Sequence, residues 1–147
     1  MINAQDSKDI LLIAPKANTS SVTTTANFSV QDCDYVTLRM PLGLEKNSSA
    51  IGPSITVKEG DTTSSFATWS TSCTLTGANG DCETAHNVVF HIDTKARKKY
   101  LEVTMATGTA TNDDVVWAAI ATLTRQAKAP GSTSDMVYTT NDVVRIL

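Results

Sequence analysis

The sequence predicts an all-β fold, a single β-sandwich or jelly-roll-like domain with an extended C-terminal tail. Three observations predict it. Apolar residues alternate with polar ones at period 2 along most of the chain. Ser and Thr make up roughly a quarter of the 147 residues, and β-branched Thr suits a half-buried pleated surface. Turn-forming clusters interrupt the alternation at regular intervals, which favours antiparallel strands over βαβ units.

The strands follow in order. Ile10 to Ala14 is a short apolar run and predicts a buried strand. Val22 to Val30 is Thr-rich, with Val22, Phe28 and Val30 as its apolar members. In Tyr35 to Met40, the residues Val36, Leu38 and Met40 share one face, and Tyr35, Thr37 and Arg39 the other. Ser54 to Lys58 sets Ile55 and Val57 together, and Phe66 to Trp69 is a further short strand. Val88, Phe90 and Ile92 share a face, as do Leu101, Val103 and Met105, with Glu102 and Thr104 outward. Val115 to Leu123 is apolar on both faces, as a central sandwich strand would be, although Val116, Ala119, Ile120 and Leu123 also have helical spacing. The expected breaks are Pro41-Leu42-Gly43, Gly52-Pro53, Glu59-Gly60-Asp61, Gly77 to Gly80 and Thr107-Gly108-Thr109.

Residues 1–127 form the expected sandwich domain, and residues 128–147 a linker and C-terminal arm. Ala127 to Ser134 reads as the linker, and Val143-Val144-Arg145-Ile146-Leu147 as an apolar end. Such an end either adds a strand to its own sheet or docks on another subunit by strand addition.

Composition narrows the function. The hydrophobic share of 41% supports a folded core, while aromatics are only 5%. A net charge of −3 argues against a general grip on nucleic acid, which needs a basic surface. No stretch is apolar for long enough to span a bilayer as a helix. The start lacks the basic-then-apolar order of a signal peptide, so synthesis in a reducing host cytoplasm is expected. Three cysteines give no disulfide framework. Cys73 and Cys82 flank a turn and are either bridged or reduced, and Cys33 is expected to be a small buried residue. The Asn-x-Ser/Thr triplets at Asn18, Asn27 and Asn47 carry no weight in so Ser- and Thr-rich a chain.

No catalytic set, cofactor site or metal site is expected. His86 and His91, with Asp93 or Cys82, fit no standard ligand spacing, and in a strand His91 points away from Ile92. Asp32 and Asp34, and Asp113 and Asp114, are carboxylate pairs without the aromatic-lined cleft that glycoside hydrolysis uses. The basic run is Lys95-Ala96-Arg97-Lys98-Lys99. It reads either as a solvated hairpin turn or as a contact with an acidic neighbouring subunit. Candidate partner-binding residues are therefore Lys95, Arg97, Lys98 and Lys99, together with Val143, Val144, Ile146 and Leu147 of the tail.

Two stretches resemble a known family. Val57 to Thr68 reads as a strand, a short Asp/Ser/Thr turn and a return strand. Asp93 to Thr104 reads as an acidic turn, a basic run and a Tyr-led strand. In this order, within roughly residues 50–123, they resemble the capsid decoration or cement proteins of tailed bacteriophage heads. The resemblance implies a virion protein on the outer capsid surface, a homo-oligomer (dimer or trimer) that bridges neighbouring major capsid subunits. It implies no active site. A virion tail or head-fibre protein, or a carbohydrate-binding adhesion module, is the alternative, which the scarcity of aromatics disfavours.

Overall fold

The computed structural model describes residues 7–19, 21–31, 33–43, 45–46, 54–74, 81–82, 86–107, 115–124 and 142–146. Eleven strands occur among them, and the fold class is the expected all-β sandwich. They are β1 (Ser7–Asn18), β2 (Thr23–Ser29), β3 (Tyr35–Leu42), β4 (Glu45–Lys46), β5 (Ser54–Thr62), β6 (Ser65–Thr74), β7 (Asp81–Cys82), β8 (His86–Asp93), β9 (Tyr100–Ala106), β10 (Val115–Thr124) and β11 (Asp142–Ile146). One sheet has the order β1-β10-β3-β8-β11 and the other β2-β9-β5-β6, with β4 and β7 paired separately. Within the large sheets all pairings are antiparallel except β11 on β8.

Counting only the eight longer strands that precede β11, the first sheet reads first, eighth, third, sixth. The second reads second, seventh, fourth, fifth. The chain thus passes back and forth between sheets, and both sheets interleave early and late strands. This is the jelly-roll arrangement of two Greek keys.

The period-2 faces explain why the sheets close on each other. Leu38 and Met40 of β3, Val88, Phe90 and Ile92 of β8, and Ala119 and Ala121 of β10 belong to the core. So do Ile55 and Val57 of β5 and Leu101, Val103 and Met105 of β9. Burial of each larger aliphatic side chain contributes about 1.5–3 kcal/mol. Among the described residues Trp117 of β10 is the largest fully buried side chain, and its indole N–H has no hydrogen-bond partner there.

One expectation is settled between its alternatives and three change. Val115–Thr124 is a strand, which resolves the helical alternative, and it is central, between β1 and β3. Strand β1 is longer than its apolar run and lies at a sheet edge. Of Ile10 to Ala14 only Ile13 is buried, and Leu11 is 59% exposed. Register shifts after Leu11 and after Ile13 turn these two onto different faces. Pro41-Leu42 does not break β3 but ends it, where Pro41 pairs with Asn87 and the following Gly43 N–H donates to Val116 O at 2.6 Å. Glu59-Gly60-Asp61 lies inside β5, and the turn falls one step later, at Thr63-Ser64. Gly60 is needed there because a Cβ would sit 2.2 Å from Ser65 O.

The corner between β1 and β2 is held by Thr107, directly after β9. Its N–H donates to Val22 O (3.0 Å), and its hydroxyl donates to Thr19 O (2.7 Å) and accepts from Val22 N–H (2.9 Å). Ser21 takes a positive φ of 61° in this corner.

Candidate interaction surface

The basic run forms the loop between β8 and β9. Thr94 anchors its start, donating its hydroxyl to Cys33 O (2.5 Å) and its N–H to Asp34 O (3.2 Å). Lys95 N–H donates to Asp93 Oδ1 (3.0 Å), and Arg97 N–H to Thr94 O (3.0 Å). The loop rejoins the sheet where Lys99 O accepts from Val30 N–H (2.9 Å).

The β5–β6 hairpin lies against this loop. Arg97 is 3.7 Å from Glu59 Oε2, and Lys98 Nζ is 3.1 Å from Asp61 Oδ2. The guanidinium of Arg97 lies over the Trp69 ring, 3.9 Å from its centroid, a cation–π contact. Farther along the same sheet Lys58 Nζ meets Glu102 Oε1 at 2.9 Å. Two of the four candidate cations, Arg97 and Lys98, are therefore matched within the chain. Lys95 and Lys99 are exposed and form no ion pair among the described residues. Glu59 and Asp61 were missed as partners because their place in the sequence reads as a turn.

Of the tail candidates, Val143, Val144 and Ile146 lie in β11. It pairs parallel with β8, placing Val143 opposite Val88, Val144 opposite Val89 and Ile146 opposite His91. The apolar end thus adds to its own sheet. Leu147 lies outside the described residues, as do Asp32, Asp113 and Asp114. The main chain of Cys73 pairs with Ile55 and that of Cys82 with Glu45, in different sheets, while the two thiols lie outside what is described. Cys33 is half-buried rather than fully buried. Its thiol donates to Val30 O at 3.2 Å.

His91 points away from the core, as its place beside Ile92 requires, yet it is buried. Its Nδ1 hydrogen-bonds the Tyr35 hydroxyl, the two rings stack with centroids 5.7 Å apart, and Thr37 Oγ1 lies 3.5 Å away. Burial, and then the nearby charge of Arg39, hold its pKa below the ordinary imidazole value. The Tyr35 and His91 rings thus form a stacked, hydrogen-bonded polar pair. Among the described residues no three His, Cys, Asp or Glu side chains gather as a metal site. No helix among them is long and apolar enough to cross a membrane.

The outward face of the four-stranded sheet is mostly hydroxyls. Thr25, Thr104 and Thr56 fall in one row across β2, β9 and β5, and the Thr25 and Thr104 hydroxyls are 3.3 Å apart. The next row is Asn27, Glu102 and Lys58, in which the two charges neutralise each other.

No family model matches the chain, and no curated protein does. Among solved structures, the infectious bursal disease virus Gx strain gives a TM-score of 0.51 at 12% identity, covering 85% of this chain and 33% of the other. The enzymatically active domain of tailspike protein 4 of bacteriophage CBA120 gives 0.49 at 10% identity, covering 82% and 20%. The infectious bursal disease virus VP2 subviral particle gives 0.47 at 12%, covering 85% and 34%. The chain spans about a third of the length of the bursal disease virus chains it matches. The likeness to the Gx-strain chain is one of fold, and it agrees with the sandwich read from the strand order.

Proposed function

We propose that this chain is a structural virion protein that binds the outer surface of a phage capsid and cements neighbouring major capsid subunits. One observation carries the reading. The two stretches that resemble decoration proteins, Val57 to Thr68 and Asp93 to Thr104, are far apart in sequence but form one unit in space. Val57 pairs with Val103, and Lys58–Glu102, Glu59–Arg97 and Asp61–Lys98 join them. The jelly roll supports the reading as a scaffold that recurs in viral capsid and lectin domains.

Cementing needs contact area across a seam, on the order of 1,000 Å² per copy. Many copies acting together hold a shell even when each contributes modestly. Within the basic run, the exposed Lys95 and Lys99 are the cations left for an acidic capsid surface. The apolar tail residues Val143, Val144, Ile146 and Leu147 are the other candidate contact. The test is to mix purified protein with undecorated capsids, sediment them and image the shells. Saturable binding at subunit seams, weakened by Lys95→Glu with Lys99→Glu, is expected. Shells that remain bare at saturating protein would refute the reading.

The lectin-like alternative, an adhesion module of a tail or head fibre, shares the scaffold. It is disfavoured because aromatics are only 5% of the chain, the ring of Trp117 is buried, and Arg97 covers one face of Trp69. A glycan array separates the two readings.

A further inference from the structure

Most edges in this fold are guarded. Strand β1 carries Lys8, Asp9, Pro15 and Lys16 and two register shifts. Strand β11 carries Asp142 and Arg145. Strand β6 has no charge, but its register with β5 slips where Val57 pairs with Thr71 and Lys58 with Thr68. Charges, proline and bulges are the ordinary devices that stop a sheet edge from pairing with another chain.

Strand β2 has none of them. From Thr19 to Gln31 there is no charged residue, no proline and no glycine. Its seven residues pair with β9 in unbroken register, Thr23 opposite Ala106 through Ser29 opposite Tyr100. It is one of the two edge strands of the four-stranded sheet.

The ladder shows which main-chain groups are unused. Val30 N–H donates to Lys99 O, and Thr107 N–H to Val22 O, so the even-numbered residues of this stretch face β9. The N–H and C=O groups of Thr23, Thr25, Asn27 and Ser29 therefore point to the open edge. All four residues are exposed, and no main-chain bond at these groups is made among the described residues.

We propose that β2 is a dimer seam, at which a second copy of this chain pairs antiparallel about a two-fold axis through Ala26. That axis matches unused groups with unused groups. Thr23 meets the partner's Ser29, and Thr25 meets the partner's Asn27. With two bonds in each of four narrow pairs, the seam forms about eight main-chain hydrogen bonds. Centring the axis on Thr24 or Phe28 leaves two of these four residues on each strand without a strand partner. No like charges face each other, because the strand has none, and the two hydroxyl faces become one continuous surface. The lack of charge also explains why pairing is confined to this sheet, since the guarded β1 edge above it resists the same contact.

The inference does not depend on the capsid reading, and it is tested without capsids. The full chain is studied at about 0.1 mM, where a micromolar association is saturated. Light scattering after gel filtration should give a dimer, and amide exchange at Thr25 and Asn27 should be slow. Thr25→Lys with Asn27→Lys sets lysines opposite each other across the seam twice and should raise the dissociation constant about tenfold or more. Thr25→Glu with Asn27→Lys sets Glu opposite Lys and should restore wild-type association. Circular dichroism matching the wild type shows that each variant folds. A monomeric wild type, fast exchange at both amides, or equal association of the two double variants would overturn the proposal.

Discussion

Replacing Gly60 by Ala is a sharp test of the β5–β6 geometry, because the obstruction is main chain. The added Cβ would lie 2.2 Å from Ser65 O, 3.0 Å from Thr62 O and 3.0 Å from Phe66 Cδ1. Relief of the first contact needs a displacement of about 1 Å, and a carbonyl held by a strand yields far less readily than a side chain. Overpacking of this kind costs about 1–3 kcal/mol, and the two backbone contacts place Gly60→Ala at about 2–3 kcal/mol. For a chain of this size that is a fall in Tm of about 5–10 °C. Gly43→Ala is the internal control. Its Cβ would lie 3.3 Å from both Cβ and O of Val116, contacts that need a shift of only a few tenths of an ångström. Its cost should stay below about 1 kcal/mol. Urea unfolding with an unchanged m-value measures both. If Gly60→Ala lies within about 0.5 kcal/mol of wild type, or if Gly43→Ala is the worse, the placement of Gly60 inside β5 is wrong.

Two further predictions concern the loop and the buried histidine. A double-mutant cycle of Arg97→Ala and Glu59→Ala should give a coupling of no more than about 1 kcal/mol, reduced by salt, because both side chains are partly solvated. His91 should make the fold acid-sensitive. Its folded pKa lies below the ordinary value of 6.5, so its full contribution is present above that pH. As pH falls below 6.5 the unfolded chain takes up the proton first, and stability drops by at most about 1.4 kcal/mol per pH unit until the folded pKa is passed. Urea unfolding at pH 7 and pH 5.5 should show this loss in wild type and a smaller one in His91→Asn.

Much of the fold was legible in the sequence because side-chain alternation reports which face is buried. The rows Val36-Leu38-Met40, Val88-Phe90-Ile92 and Leu101-Val103-Met105 read correctly for that reason, and all nine residues are fully buried. Alternation does not name a strand's partner. Nothing local to Thr23–Ser29 says that it pairs with Tyr100–Ala106, so the jelly-roll order and the pairing of Arg97 with Glu59 were out of reach. Composition misled at the breaks. Proline is acceptable at the end of β3, and glycine marks a crowded strand as readily as a turn. It misled also at Ile10 to Ala14, where apolar content was taken for burial although the strand is an edge. Lys95 to Lys99 was correctly placed between two strands, but a basic run does not reveal that acidic residues of its own chain already occupy half of it.

The strand order underlies every other statement, and interproton contacts in solution test it most directly. The order requires main-chain contacts between Ala26 and Val103, between Leu11 and Ile120, and between Leu38 and both Phe90 and Ala121. Nuclear Overhauser effects across these pairs are the expected result. Contacts instead between β1 and β2, or between β9 and β10, as in an up-and-down meander, would contradict the jelly roll.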